Sequence, residues 1–190
     1  MSSHMSDAEL GVLGLASCGH NVLISRKASI YGAGRIHIGN NVRIDDFSIL
    51  SAGDGGIHIG NYVHIASYAS VVGREKIQMS DFSGISSRVC VYSSSDDYSG
   101  NALTNPTVPP DYTAVRHAPV LLGRHTIVGA GSVILPGVIL HDGVAIGALA
   151  LVTHDCAEFG VYAGVPARRI SARSRHLLIL ESQMAAQGKV

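Results

Sequence analysis

The feature that most constrains the fold is an aliphatic residue that recurs every six positions along much of the chain. A period of six matches neither the 3.6-residue period of a helix nor the two-residue alternation of a flat strand. From residue 122 to residue 152 the repeat runs without a slip, and shorter runs precede it. Its members are Leu122, Val128, Ile134, Leu140, Ile146 and Val152; Ile38, Ile44 and Leu50; Ile59, Ile65 and Val71; Met79, Ile85 and Val91; and, at the start, Ile24 and Ile30.

The period is explained if each hexad is one short strand followed by a corner, so that three hexads complete a triangular coil of a parallel β-helix. The aliphatic residue then points into the prism and stacks on its equivalent one coil away. Four places later stands a small or β-branched residue that suits a corner: Thr126, Ser132, Val138, Val144, Ala150 and Cys156. We expect glycine and asparagine, as in residues 39–41 and 60–61, to adopt the strained corner conformations. An Ile134→Asp change should place an unpaired charge inside the prism.

Composition agrees with a narrow aliphatic interior and excludes several classes of protein. The 190 residues include no Trp and only 3 Phe, whereas 46% are hydrophobic, so the chain as a whole is not disordered. Lys+Arg and Asp+Glu are both 14, which argues against a nucleic-acid or polybasic membrane partner. No apolar stretch is long enough to span a bilayer, and the N-terminus lacks a signal-peptide pattern. Three scattered cysteines form no disulfide framework, so we expect a cytoplasmic protein.

The register divides the chain into three parts. Residues 1–19 are expected to be a lead-in that begins with a tag remnant, and residues 20–157 to form the β-helix. Residues 93–118 contain three prolines and no hexad, which predicts a long excursion loop, and loops of that length are usually functional or disordered. Residues 158–190 leave the prism as a turn and a short amphipathic α-helix at about 171–187.

Motifs near the end of the repeat resemble a known family. The hexads ILPGVI from Ile134 and LHDGVA from Leu140, followed by VYAGVPAR from Val161, are similar to the bacterial hexapeptide-repeat acyltransferases. Within them, the sugar O- and N-acetyltransferase branch, which includes the galactoside and maltose acetyltransferases, is the most similar. The resemblance covers about residues 22–170. It implies a left-handed parallel β-helix, a homotrimer with active sites in grooves between subunits, and acetyl-CoA as co-substrate with no metal required.

The resemblance also implies a reaction. A sugar hydroxyl or amine attacks the thioester directly in a ternary complex, and the sugar is expected to be nucleotide-linked and to serve surface-polysaccharide or lipopolysaccharide biosynthesis. Two alternatives from other classes stay open. One is a non-catalytic structural β-helix subunit. The other is a zinc protein similar to the γ-type carbonic anhydrases, although no three histidines here share a suitable register.

The identity of the general base is an open question, because the family places a histidine at the start of the excursion loop and residues 93–98 contain none. His117 closes the same loop and could return to the same groove. Asp96 and Asp97 occupy the vacated region and could act as the base or orient the acceptor. A neutral sugar amine needs less assistance from a general base than a hydroxyl does, so the missing histidine favours N-acetylation.

The remaining candidate residues would bind the two substrates. Ser94 and Tyr98 at the loop start, and His64 on the block that the loop could cover, are candidate acceptor contacts. By resemblance, the pantetheine arm of CoA would lie along the backbone of Gly129, Ala130, Gly147 and Ala148. Its nucleotide would lie near Ala167, Arg168 and Arg169. Arg173 and Arg175 complete a cluster without acidic residues that suits phosphate.

Overall fold

The computed structural model describes residues 3–188, which form a left-handed parallel β-helix of about seven coils. The helices are α1 (Asp7–Val12) and α2 (His176–Ala186). The strands are β1 (Ser17–Cys18), β2 (Leu23–Ile24), β3 (Ser29–Tyr31), β4 (Ile36–Ile38), β5 (Arg43–Ile44), β6 (Ile49–Ala52), β7 (Ile57–Ile59), β8 (His64–Ile65), β9 (Ser70–Gly73), β10 (Ile77–Met79), β11 (Gly84–Ile85), β12 (Cys90–Tyr92), β13 (Ser94–Ser95), β14 (Arg116–His117), β15 (Val120–Leu122), β16 (Ile127–Val128), β17 (Val133–Ile134), β18 (Ile139–Leu140), β19 (Ala145–Ile146), β20 (Leu151–Val152), β21 (Gly160–Ala163) and β22 (Arg168–Ala172).

Each coil contributes one strand to each of three sheets, which are the faces of a triangular prism. The first face has the strand order β1-β4-β7-β10-β15-β18. The second has β2-β5-β8-β11-β16-β19-β21-β22, and the third has β20-β17-β12-β9-β6-β3. All neighbours are parallel except the terminal pair β21 and β22. The predicted prism is therefore confirmed.

The six-residue repeat forms the interior. Every aliphatic position from Leu122 to Val152 is at most 3% exposed, and the upstream positions are at most 4% exposed except Ile30, which is only partly buried. Parallel pairing stacks equivalent positions: Ile134 pairs with Val91 on one side and Val152 on the other. The small residues four places later are buried as well. Apolar burial along this axis is the main stabilising contribution to the fold.

At the corners, the residues that adopt the left-handed conformation are not all the expected ones. Asn41 has φ +56° as predicted, but the next coil uses Tyr62 at φ +57° rather than Gly60 or Asn61. Gly60 is required for a different reason, since a Cβ there would lie 2.9 Å from the backbone nitrogen of Asp81 in the next coil. The glycines of this corner therefore permit close stacking of coils.

Both ends of the prism are covered. The side chain of Ser6 and that of Glu9 form a capping box at the start of α1, and Glu9 also pairs with Arg26 of the first coil. That coil begins at Ser17, three residues before the predicted start. At the other end, α2 begins only at His176, because residues 168–172 form β22 and pair with β21.

The predicted amphipathic character of the C-terminal helix is wrong, because α2 buries no residue. It is held to the prism by Glu181, which accepts hydrogen bonds from Arg124 and pairs with His125 Nε2 at 2.7 Å. Among residues 3–188, no helix has the length and apolar character needed to cross a bilayer.

Candidate active site

The excursion loop leaves the prism at the corner between the third and first faces and returns to the same corner. Its two ends, β13 and β14, form an antiparallel ribbon in which Ser94 pairs with His117 and Ser95 with Arg116. The long loop predicted for residues 93–118 is thus present, and its two ends are paired with each other. The ribbon fixes where the first loop residues lie relative to the third face.

Two adjoining cavities, of about 430 and 490 Å³, lie between the loop and the third face. Both are lined by Ser95, Asp96, Tyr98 and Leu135. The third face supplies an apolar floor to these cavities, and the loop supplies polar walls. The residues of the floor are Val133, Leu135, Pro136 and Leu151. An apolar floor with a few polar groups at one side is typical of a small-molecule site.

The two adjacent aspartates have different environments. Asp96 lines both cavities. The carboxylate of Asp97 instead accepts hydrogen bonds from the Ser99 hydroxyl at 2.8 Å and from the backbone nitrogens of Ser99, Gly100 and Asn101. These hydrogen bonds, led by that from the Ser99 side chain, lower the pKa of Asp97. The structure therefore places Asp96 in the cavity and Asp97 in an Asx turn that shapes the loop.

His117 lies in the ribbon and is held through Ser94. The hydroxyl of Ser94 accepts a hydrogen bond from the Arg74 backbone nitrogen at 2.9 Å and lies 2.8 Å from His117 Nδ1. A serine hydroxyl has one hydrogen to donate and two lone pairs, so this contact fixes the orientation of the imidazole ring with either nitrogen of His117 protonated.

Tyr92, which the sequence analysis did not select, lines the smaller cavity at the end of β12. A hydrogen bond with Cys90, together with burial, raises the pKa of Tyr92 to about 12. The phenol therefore stays protonated at neutral pH and can donate a hydrogen bond. Its position as the last outward residue before the register breaks is the sequence signal that could have identified it.

His64 is not near the loop within one chain. It projects from β8 on the second face, which is the face opposite the corner where the loop emerges. Its Nε2 lies 2.8 Å from Asp45, which also binds Arg43 at 2.6 Å. Arg43 and Asp45 were missed by the sequence analysis, because their proximity to His64 depends on the pairing of neighbouring coils.

The residues expected along CoA lie on the C-terminal coils. Ala130 and Ala148 are exposed on equivalent turns of neighbouring coils, between the second and third faces. A Cβ at Gly129 would lie 2.5 Å from the backbone nitrogen of Ala148, so coil stacking alone requires glycine there. At Gly147 the nearest atom would be 3.2 Å away, which makes this position less constrained by stacking.

The arginine cluster divides into two kinds. Arg168 and Arg169 are exposed in β22, next to Ala167 in the preceding turn, and remain candidates for phosphate. Arg173 instead donates to the carbonyls of His125, Gly143 and Val144. Arg175 lies over the ring of Phe159, with its guanidinium carbon 4.0 Å from the ring centre. Arg175 also pairs with Glu158 at 3.5 Å, and its side chain is 60% exposed. Both arginines thus contact the C-terminal coils, and their suggested role in phosphate binding stays a prediction. In residues 3–188, no group of three potential ligands could hold a metal ion.

Comparison with known proteins identifies close relatives. No profile of a known protein family matches the chain. The chain is 53% identical over 180 residues to a dTDP-4-amino-4,6-dideoxy-D-glucose acyltransferase of Escherichia coli, covering 95% of this chain and 94% of the relative. It is also 30% identical over 150 residues to a putative lipopolysaccharide biosynthesis O-acetyl transferase, WbbJ, of the same species, covering 77% of this chain and 65% of the relative.

Solved structures agree with this relationship. AntD, an N-acyltransferase from Bacillus cereus, in complex with dTDP and 3-hydroxybutyryl-CoA, superposes with a TM-score of 0.96 at 48% identity, and the match covers 100% of both chains. A serine-to-alanine mutant of AntD in complex with dTDP-4-amino-4,6-dideoxyglucose and coenzyme A gives a TM-score of 0.95.

The findings agree on the chemistry of the chain. The match covers nearly the full length of the dideoxyglucose acyltransferase and of AntD, and the AntD structures hold coenzyme A or 3-hydroxybutyryl-CoA. The expectation of an enzyme that uses an acyl-CoA donor and a sugar acceptor is therefore confirmed. The chain belongs to the hexapeptide-repeat sugar acyltransferases, and it is a CoA-dependent transferase of this family.

Proposed function

We propose that this enzyme transfers an acetyl group from acetyl-CoA to the 4-amino group of a dTDP-linked 4-amino-4,6-dideoxy sugar. The observation that carries the proposal is the position of Asp96, which lines both cavities at the loop position where the family's histidine is absent. The high identity to a dTDP-4-amino-4,6-dideoxy-D-glucose acyltransferase supports the choice of acceptor.

The reaction is a direct transfer. The neutral sugar amine attacks the thioester carbonyl, a C–N bond forms, and a tetrahedral intermediate carries the negative charge on oxygen. Asp96 accepts the proton that the attacking nitrogen loses. Collapse of the intermediate breaks the C–S bond, and CoA leaves as a thiolate that takes up a proton. Tyr92, which stays protonated, lines the same cavity and is our candidate to donate a hydrogen bond to a substrate oxygen.

Local geometry favours Asp96 over the other two candidate bases. Asp97 is occupied by four hydrogen-bond donors of its own loop, so its carboxylate serves to hold the turn. His117 is held by Ser94 at 2.8 Å from Nδ1 and, unlike Asp96, is not among the residues that line the two cavities. We assign His117 and Ser94 to holding the ribbon, and Tyr98, which lines both cavities, to acceptor contact.

The wider setting is part of the same proposal. We infer a cytoplasmic homotrimer that serves surface-polysaccharide or lipopolysaccharide synthesis, with Arg168 and Arg169 near the phosphates of CoA. A putative lipopolysaccharide biosynthesis enzyme among the relatives supports the pathway class. Closed cyclic assembly is the common solution for identical subunits with flat faces.

The decisive experiment measures release of the CoA thiol with matched acceptors. We expect turnover with a dTDP-4-amino-4,6-dideoxy sugar and at least tenfold less with the corresponding 4-hydroxy sugar, which would be the preferred acceptor if the enzyme were an O-acetyltransferase. The Asp96→Asn variant should lower kcat by about 100-fold or more, which is the usual contribution of a general base. Asp111→Asn, a change elsewhere in the same loop, is the control and should leave kcat unchanged. Full turnover by Asp96→Asn would refute the assignment of the base.

A further inference from the structure

A cluster of charged residues on the second face has no role in the site described above. Asp45 lies between Arg43 and His64, at 2.6 Å from Arg43 Nε and 2.8 Å from His64 Nε2. The Asp45 side chain is only 15% exposed, whereas those of Arg43 and His64 are 57% and 52% exposed. A largely covered carboxylate thus holds two basic side chains that both reach solvent.

This arrangement is suited to binding an anion. Partial burial raises the pKa of Asp45, but the hydrogen bonds from His64 and Arg43 outweigh that effect and the net change lowers the pKa. Asp45 therefore stays ionised and fixes the orientation of both partners. Arg43 uses its Nε for this contact, so both terminal guanidinium nitrogens can bind a second oxyanion in the bidentate geometry that phosphate prefers.

The surroundings of the cluster fit a nucleotide. Gly84 occupies the next rung of the same face, and its missing side chain leaves open space beside His64. Along the adjoining corner, the rings of Phe47 and Tyr68 stack at 4.9 Å, and both residues are about half exposed. Such an exposed aromatic edge can contact a planar base.

The equivalent aromatic positions of the other corner do not offer this surface. There Tyr62, Phe82 and His125 stack in the same way. However, Glu181 of α2 covers His125, whose side chain is only 10% exposed. Both corners border the second face, but within residues 3–188 the half-exposed stacked pair occurs at the corner between the second and third faces, whereas Tyr62 and Phe82 at the other corner are partly buried.

The position of the cluster along the axis of the prism agrees with a role in binding the acceptor. The loop that carries Asp96 leaves from the coil of β10, β11 and β12, whereas His64 lies one coil and Arg43 two coils toward the N-terminus. The candidate CoA positions at Ala130 and Ala148 lie on the coils toward the C-terminus. Coils are about 4.8 Å apart, so the cluster is within a few coil spacings of the level of the loop.

We propose that Arg43 and His64, oriented by Asp45, bind the diphosphate of the nucleotide-sugar acceptor, with the exposed edge of Phe47 and Tyr68 against the base. This proposal deepens the proposed function and rests on it. Because the second face lies opposite the loop in one chain, the Asp96 that serves this acceptor belongs to a second copy of the chain. The acceptor site is complete only in the assembly.

The test measures binding of dTDP, as the probe, by calorimetry to the assembled enzyme and three variants. We expect Arg43→Gln and His64→Gln to weaken dTDP binding by about tenfold or more, with CoA binding unchanged. Arg74→Gln is the matched control, since Arg74 is as exposed as Arg43 and also pairs with an aspartate, but lies at another corner. It should bind dTDP like the wild type. In turnover assays, Arg43→Gln should raise KM for the nucleotide sugar without lowering kcat.

The outcomes separate this inference from the proposed function. If the wild type binds dTDP and Arg43→Gln does not, the inference stands even where no acyl transfer is seen. It is overturned if both variants bind dTDP normally, if the wild type does not bind it, or if the control is equally impaired. It is also overturned if light scattering shows that Arg43→Gln dissociates the assembly, because Arg43 would then be a subunit contact.

Discussion

Replacement of Ile134 by alanine tests the hydrophobic axis directly. Ile134 is 0% exposed and is stacked between Val91 and Val152 of the neighbouring coils. Alanine would remove most of the buried side chain and leave a cavity, because two rigid coils cannot close over it. Ile127, on the preceding strand of the same coil, provides a matched control, since it is 48% exposed.

The expected magnitude follows from burial. Truncation of a buried isoleucine to alanine costs about 2–5 kcal/mol of the free energy of unfolding. The same truncation at Ile127 should cost less than about 1 kcal/mol, mainly through lower strand propensity. Because each coil stabilises its neighbours, the loss at Ile134 should destabilise the whole stack rather than a single strand.

Urea unfolding followed by circular dichroism measures both effects. With a slope of about 2–3 kcal/mol per molar urea, Ile134→Ala should lower the midpoint by about 1–2 M. The variants must be compared at one protomer concentration, since assembly adds to apparent stability. Equal midpoint shifts for Ile134→Ala and Ile127→Ala would refute the inward orientation of the repeat.

Three further predictions address the ends and the assembly. The hydrogen bonds of the capping box and the contacts with Arg26 lower the pKa of Glu9 from 4.5 to about 2, so the stability that Glu9 contributes is present above pH 4.5 and is lost as the pH falls toward 2. The difference in Tm between the wild type and Glu9→Gln should therefore shrink on acidification. A difference that stays constant with pH would contradict this. Glu181→Gln should release α2 from His125, seen as faster hydrogen exchange in the helix at unchanged exchange in the coils, whereas unchanged helix exchange would show that Glu181 does not hold it. Mixed assemblies of Asp96→Asn and Arg43→Gln chains should recover about a quarter of wild-type activity at low acceptor concentration if each acceptor site is shared between two chains, and essentially none if each site lies within one chain.

The sequence alone determined the prism. Aliphatic residues that recur every six positions can all be buried only if they share one interior. Because each hexad is a local unit that repeats, this pattern is visible in the sequence. The positions from Leu122 to Val152, and the break of register at the loop, could therefore be identified without coordinates. The family resemblance could also be identified from the sequence alone, since it rests on the motifs ILPGVI and VYAGVPAR.

The tertiary structure decided which polar residues meet. Asp96 and Asp97 are neighbours in sequence, but only the folded loop shows that the first lines the cavities and the second holds a turn. Arg43 and His64 are 21 positions apart and become adjacent because the chain completes one coil between them, which places them on neighbouring strands of the same face. Proximity between coils depends on the number of residues at each corner and on the path of the loop. Neither is encoded in the six-residue period, so the sequence defined the axis and only the fold defined the site.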